Sequence, residues 1–70
     1  MKLSARNKIK GTITSIKEGA VNDIVTLDIG GGNSMTATIS MASVQELGLS
    51  VGKEAYAVVK ATSVMVGIDD

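Results

Sequence analysis

Seventy residues carry seven basic and seven acidic side chains, no cysteine, no histidine, no proline and one aromatic, Tyr56. Disulfides and thiolate metal sites are thereby excluded, and zinc, copper and nickel lose their usual nitrogen ligand. Zero net charge gives no long-range attraction to nucleic acid or an anionic membrane, and a single ring makes no platform for stacked bases, so neither partner is expected.

Apolar residues recur mostly with period two, and many are β-branched, which predicts strands. The first runs from Ile9 through Gly11 and Ile13. Ile16 falls on the opposite phase, so a bulge or bend is expected near Thr14–Ser15. "KEGAVN" (17–22) reads as a turn. Val21, Val25, Leu27 and Ile29, set against Asn22, Thr26 and Asp28, form a second strand. "GGGN" (30–33) is a hairpin signal; it leads into another strand, not a helix, and so is not a phosphate loop. Met35, Ala37 and Ile39 make the third strand.

The spacing then becomes three, at Met41, Val44 and Leu47, which suits a short helix. Ser40 can cap it, or Ser43 with Glu46 as a capping box, and Gly48 ends it. Ala55, Ala57 and Val59 alternate in a fourth strand. Val64 and Val66, with Thr62, mark a fifth. Five strands with one helix between the third and fourth is the order of a small all-β Greek-key barrel of the OB type, with residues 1–70 as one domain. A chain this short sits near the lower limit for a single core, so self-association is expected to supplement it. "MKLSARNKIK" has no apolar leader core and no run approaches membrane-spanning length, so a soluble cytoplasmic protein is expected.

Catalytic sets are missing from the sequence: no histidine base, no cysteine nucleophile, and acids that are scattered, with Asp69–Asp70 a polar tail. No enzymatic activity is expected. The donors are more informative. Ser4 and Arg6 precede the first strand, Ser40 and Ser43 sit at the helix start, and Lys60, Thr62 and Ser63 lie where the fourth strand turns toward the fifth. Singly, these read as caps and surface charges. Together they offer a tetrahedral oxyanion two positive charges, several hydroxyls and the N–H groups of a helix start. Spacing alone leaves open whether they converge.

"SARN" (4–7), "KEGAVN" (17–22), the "IS" of 39–40 followed by "SV" and "LGL", and "VGKEAYAVVKATSVMVGID" (51–69) carry a family likeness over essentially the whole chain. In these segments the chain resembles the molbindins, or Mop domains, which are small molybdate-binding proteins. The resemblance implies an OB-like barrel that stores or buffers molybdate, and often tungstate, without cofactor, catalysis or direct cation ligands. It further implies a homohexamer, a trimer of dimers, with oxyanion sites between subunits. Ser4 and Arg6 would contact the anion, with Ala5 giving a backbone N–H. Lys60 would supply the second charge, Ala61 or Ser63 further donors, and Ser40 and Ser43 hydroxyls. A second site would use Gly19, Ala20, Val21 and Asn22. Ser40 stands where the family often has threonine, and "MA" at 41–42 replaces a more polar or proline-containing pair, which leaves open whether Ser40 or Ser43 touches the anion. The alternative reading is an OB-type nucleic-acid-binding or structural interaction module.

Overall fold

Gly11 and Ile13, Val25 and Leu27, Ala37 and Ile39, and Ala55 and Ala57 turn to one side of four antiparallel strands, as the period-two pattern requires. The computed structural model describes residues 1–70. Its elements are β1 (Asn7–Lys17), β2 (Asn22–Gly30), β3 (Asn33–Ser40), α1 (Met41–Leu47) and β4 (Glu54–Val59), followed by one 3₁₀ turn at Ala61–Ser63. The strands form one curled sheet in the order β3-β2-β1-β4.

β1 is long because it serves two neighbours. Its first half pairs with β4, from Asn7 opposite Val59 to Thr12 opposite Glu54. Its second half pairs with β2, and the register slips between Ile13 and Ser15, at the expected bulge. At the slip the loop before β4 takes over the ladder bonds. Ile13 N–H donates to Lys53 O at 2.9 Å, and Gly52 N–H donates to Ile13 O at 2.7 Å. The bend that results curls the sheet around Ile13, Val25, Leu27 and Val44, the buried apolar cluster.

Gly31 and Gly32 form the β2–β3 turn with φ of +62° and +77°, the paired positive values of a tight hairpin whose twist matches its strands. α1 starts at Ser40, whose Oγ accepts the Ser43 N–H at 3.0 Å. The helix therefore uses the Ser40 cap and not the Ser43–Glu46 box. It ends at Gly48 in the left-handed conformation, and Leu49 N–H reaches back to Val44 O at 3.0 Å.

Three expectations are corrected. Residues 62–66 form no fifth strand: Thr62 and Ser63 lie in the 3₁₀ turn, and residues 64–70 carry no regular structure. The five-stranded OB-like Greek-key barrel is therefore, in one chain, a four-stranded sheet whose β3 and β4 edges are both free. The tail has the composition of a strand but meets no edge of its own chain. Second, Val21 is exposed, and the inward place at the start of β2 belongs to Asp23, which shares the phase of Val25 and Leu27. Third, Leu47 is exposed, so α1 seals the core through Val44. No helix is long and apolar enough to cross a membrane.

Candidate functional site

The β1–β4 ladder ends with Asn7 opposite Val59. Arg6 and Lys60 are the residues just beyond that last pair, and Ala61–Ser63 then leave the ladder in the 3₁₀ turn. "SARN" and "KATS", more than fifty residues apart in sequence, are thus brought to the same end of the β1–β4 ladder. Like charges brought to one end of a ladder repel. Nothing in the chain relieves that repulsion. The one ion pair of the molecule is Lys10 Nζ to Glu54 Oε2 at 2.8 Å, further along the same ladder. The hydrogen bond to Glu54, then its charge and that of Tyr56, hold the Lys10 ammonium above its ordinary pKa of 10.5. Arg6 and Lys60 have no acid partner and no side-chain hydrogen bond.

Unbonded backbone donors flank these two residues in sequence. The turn at Ala61–Ser63 closes by Ser63 N–H donating to Lys60 O at 2.8 Å. This leaves the Ser63 hydroxyl free while occupying its amide. The N–H groups of Ala5, Arg6, Ala61 and Thr62 donate to no protein acceptor. Two guanidinium or ammonium groups, free amides and the hydroxyls of Ser4 and Ser63 are donors only toward an acceptor-rich ligand. Such a set suits a compact oxyanion. No group of acidic side chains gathers to hold a cation.

The remaining candidates lie elsewhere. Asn22 stands opposite Ser40, at the end of β2 that follows the turn from Lys17, so Ser40 and Ser43 sit by the far end of β1. Along that eleven-residue strand the separation from Arg6 is on the order of 30 Å. One chain therefore assembles Ser4, Ala5, Arg6, Lys60, Ala61 and Ser63 at one end. It assembles Ser40 and Ser43 with Gly19, Ala20, Val21 and Asn22 at the other.

At this second end, several donors are already engaged. Ser40 Oγ accepts the Ser43 amide and shares a hydrogen bond with Ser43 Oγ at 2.8 Å. The two hydroxyls share this one bond, so one hydroxyl proton of the pair is left to donate elsewhere. Met41 N–H donates to Val21 O at 2.9 Å, which ties the helix start to the turn and removes one amide from it. Gly19 N–H donates to Asp23 Oδ1 at 3.2 Å. Gly19 thus has no free amide for an anion, and it has a carboxylate beside it; Ala20 and Val21 keep theirs. A side chain at Gly19 would overlap the Asn22 carbonyl, so the tightness of the turn requires glycine. Asp23, 2 % exposed, is the residue that sequence reasoning missed. Its signal was available: position 23 shares the inward phase of Val25 and Leu27, and an acid on that phase must find a donor.

Comparison with known proteins identifies relatives of this chain. The family model of the TOBE domain matches residues 3–66. A probable molybdenum-pterin-binding protein of Haemophilus influenzae is 62% identical over 69 residues, covering 99% of this chain and 100% of that protein. The solved structure of a molybdate-binding protein from Sporomusa ovata superposes with a TM-score of 0.90 at 37% identity, over 97% of this chain and 100% of that one. The cytoplasmic molybdate-binding protein ModG, solved with molybdate bound, gives a TM-score of 0.92 at 45% identity, over 99% of this chain and 49% of that one.

Proposed function

We propose that this chain, which belongs to the TOBE-domain family and within it to the molybdenum-pterin-binding (Mop) proteins, binds molybdate reversibly and without catalysis. The observation that carries the reading is the placement of Arg6 and Lys60 just beyond the last pair of the β1–β4 ladder, two cations without an acid partner in a stretch whose backbone amides at Ala5, Arg6, Ala61 and Thr62 are free. A tetrahedral dianion between them replaces repulsion by two charge-assisted contacts. Tungstate, of the same shape and charge, is accepted by the same donors. The names of the relatives, molybdenum-pterin-binding and molybdate-binding, support this choice of oxyanion.

In this reading residues 1–70 are one Mop domain. The primary site is made by Ser4, Ala5, Arg6, Lys60, Ala61 and Ser63 of one subunit, with the hydroxyl pair of Ser40 and Ser43 contributed across a subunit contact. The separation of Ser40 and Ser43 from Arg6 along β1 supports a site shared between chains. Ala20, Val21 and Asn22 form the second site, with Gly19 shaping the turn. The assembly is a homohexamer, a trimer of dimers, in which the OB-like barrel is completed. It serves cytoplasmic molybdate storage or homeostasis, with no cofactor and no nucleic-acid or membrane partner. A nucleic-acid module is disfavoured by the lone Tyr56 and zero net charge.

Crystals soaked in molybdate test the placement. The expected result is a heavy-atom peak between subunits, within hydrogen-bonding distance of Arg6 and Lys60. A peak bound only elsewhere, or none at saturating molybdate, contradicts it.

A further inference from the structure

The seven basic and seven acidic side chains cancel in sum, but not in place. Arg6 and Lys60 lie just beyond the last pair of the β1–β4 ladder, and the pair before it is Lys8 opposite Val58. Lys8 and Val58 are exposed, whereas the neighbouring Ala57 and Val59 are half-buried. The Lys8 ammonium makes no ion pair and no hydrogen bond. Lys10, two residues further along β1, differs: its Nζ lies 2.8 Å from Glu54 Oε2. That contact engages the one acid of the β1–β4 ladder, and no carboxylate stands between Glu54 and the end of β4. Asp28 is on β2, opposite Thr12, while Glu18 and Asp23 belong to the turn at the other end of β1. A third cation therefore stands unneutralised beside the two that face the proposed anion.

Chain geometry bounds how far away it stands. Two residues of extended chain span at most about 7 Å, which limits the separation of Lys8 from Arg6. Lys60 is two residues from Val58, and paired strands hold opposite Cα atoms about 5 Å apart, so Lys8 and Lys60 lie within about 12 Å. An anion between Arg6 and Lys60 is then on the order of 10 Å from the Lys8 charge. The screening length of water is about 30 Å at 0.01 M salt and about 10 Å at 0.1 M. An approaching anion thus meets the field of Lys8 before it touches any donor. Exposed and without a partner, the ammonium keeps its hydration and its mobility, which suits it to act at range and not as a fixed contact.

We propose that Lys8 is a steering residue: it raises the rate at which an oxyanion dianion reaches Arg6 and Lys60 and does not itself bind it. The proposal rests on the anion-binding reading above and adds to it how the anion is captured. Its size follows from Coulomb attraction in water between charges of +1 and −2 at about 10 Å, screened by salt. Loss of the Lys8 charge slows association about threefold at 0.01 M salt, less than about twofold at 0.1 M, and not measurably at about 1 M. A field that acts before contact changes the association rate and leaves dissociation as it was. Neutral overall, the chain still presents a basic end to a small anion.

The test compares the unaltered protein with Lys8→Gln, Lys8→Arg and Lys8→Glu, exposed substitutions that break no contact and keep the fold. Line shapes of backbone amides during titration with sodium molybdate give association and dissociation rates at about 0.01, 0.1 and 1 M salt. The expected result is that Lys8→Gln slows association about threefold at the lowest salt and matches the unaltered protein at the highest, with dissociation unchanged throughout. Lys8→Arg should restore the rate, and Lys8→Glu should slow it by about the square of the Lys8→Gln factor. Faster dissociation from Lys8→Gln that persists at high salt overturns the proposal, because Lys8 is then a ligand. Equal association rates at the lowest salt overturn it too, and leave molybdate binding standing. An unaltered protein that takes up no molybdate contradicts the functional reading, and the steering falls with it.

Discussion

Replacing Arg6 by alanine separates a ligand contact from a structural one. The side chain is exposed and makes neither an ion pair nor a hydrogen bond, so its loss should change unfolding stability by less than about 0.5 kcal/mol. Its contact with a bound oxyanion is charge-assisted, and such bonds contribute roughly 1.5–3 kcal/mol. At about 1.4 kcal/mol per decade, molybdate affinity should fall roughly 10- to 150-fold. Lys60→Ala should behave alike in binding and differ in the free protein. It removes the like charge at the same ladder end as Arg6, so stability without anion should stay level or rise by a few tenths of a kcal/mol. Lys10→Ala serves as the control, because Lys10 is held by Glu54, and affinity should be unchanged. Titration calorimetry with molybdate, paired with urea unfolding of the anion-free protein, reads both quantities. An Arg6→Ala protein that binds with unaltered affinity, or whose affinity falls only in step with its stability, would refute the reasoning.

Asp23→Ala should lower stability by about 1–3 kcal/mol in urea unfolding, because the Gly19 N–H is left without its acceptor; a change within error would mean that the turn holds itself. Ser40→Ala should cost about 1 kcal/mol through loss of the helix cap. Ser43→Ala leaves that cap in place and should cost less than half as much while weakening molybdate binding; equal losses of stability would contradict the division of roles. Lys10 has its folded pKa raised above 10.5 by Glu54, so its stabilising contribution is fully present below that pH and fades as pH rises through the folded value. Glu54→Gln should bring the NMR-monitored Lys10 titration back toward 10.5, and an unmoved titration would show that Glu54 is not its cause.

Local features of the fold were legible because local chemistry determines them. Gly31–Gly32 supplies the positive φ of a two-residue turn, Ser40 supplies an oxygen to a helix start, and the slip of Ile16 off phase marks the bulge. Residues 64–66 show where a local pattern stops being sufficient. Their alternation is that of a strand, but a strand also needs an edge, and which edge is free depends on sheet order and on how chains associate. Asp23 and Leu47 depart from the pattern for opposite reasons. The first is inward because a turn amide needs its carboxylate, and the second is outward because a seven-residue helix spans less than two and a half turns and seals the sheet with one face. The candidate site was legible as scattered donors and as family motifs. That Arg6 and Lys60 share one ladder end was not, since it depends on the pairing register of β1 with β4, a relation between distant segments that no local window contains.

The central claim is selective binding of molybdate, and the most direct measurement is calorimetric titration of the unaltered protein with molybdate, sulfate and phosphate in parallel. The account predicts a saturable heat for molybdate that exceeds any heat from sulfate or phosphate at the same concentrations. No saturable heat, or none beyond that of sulfate, would contradict it.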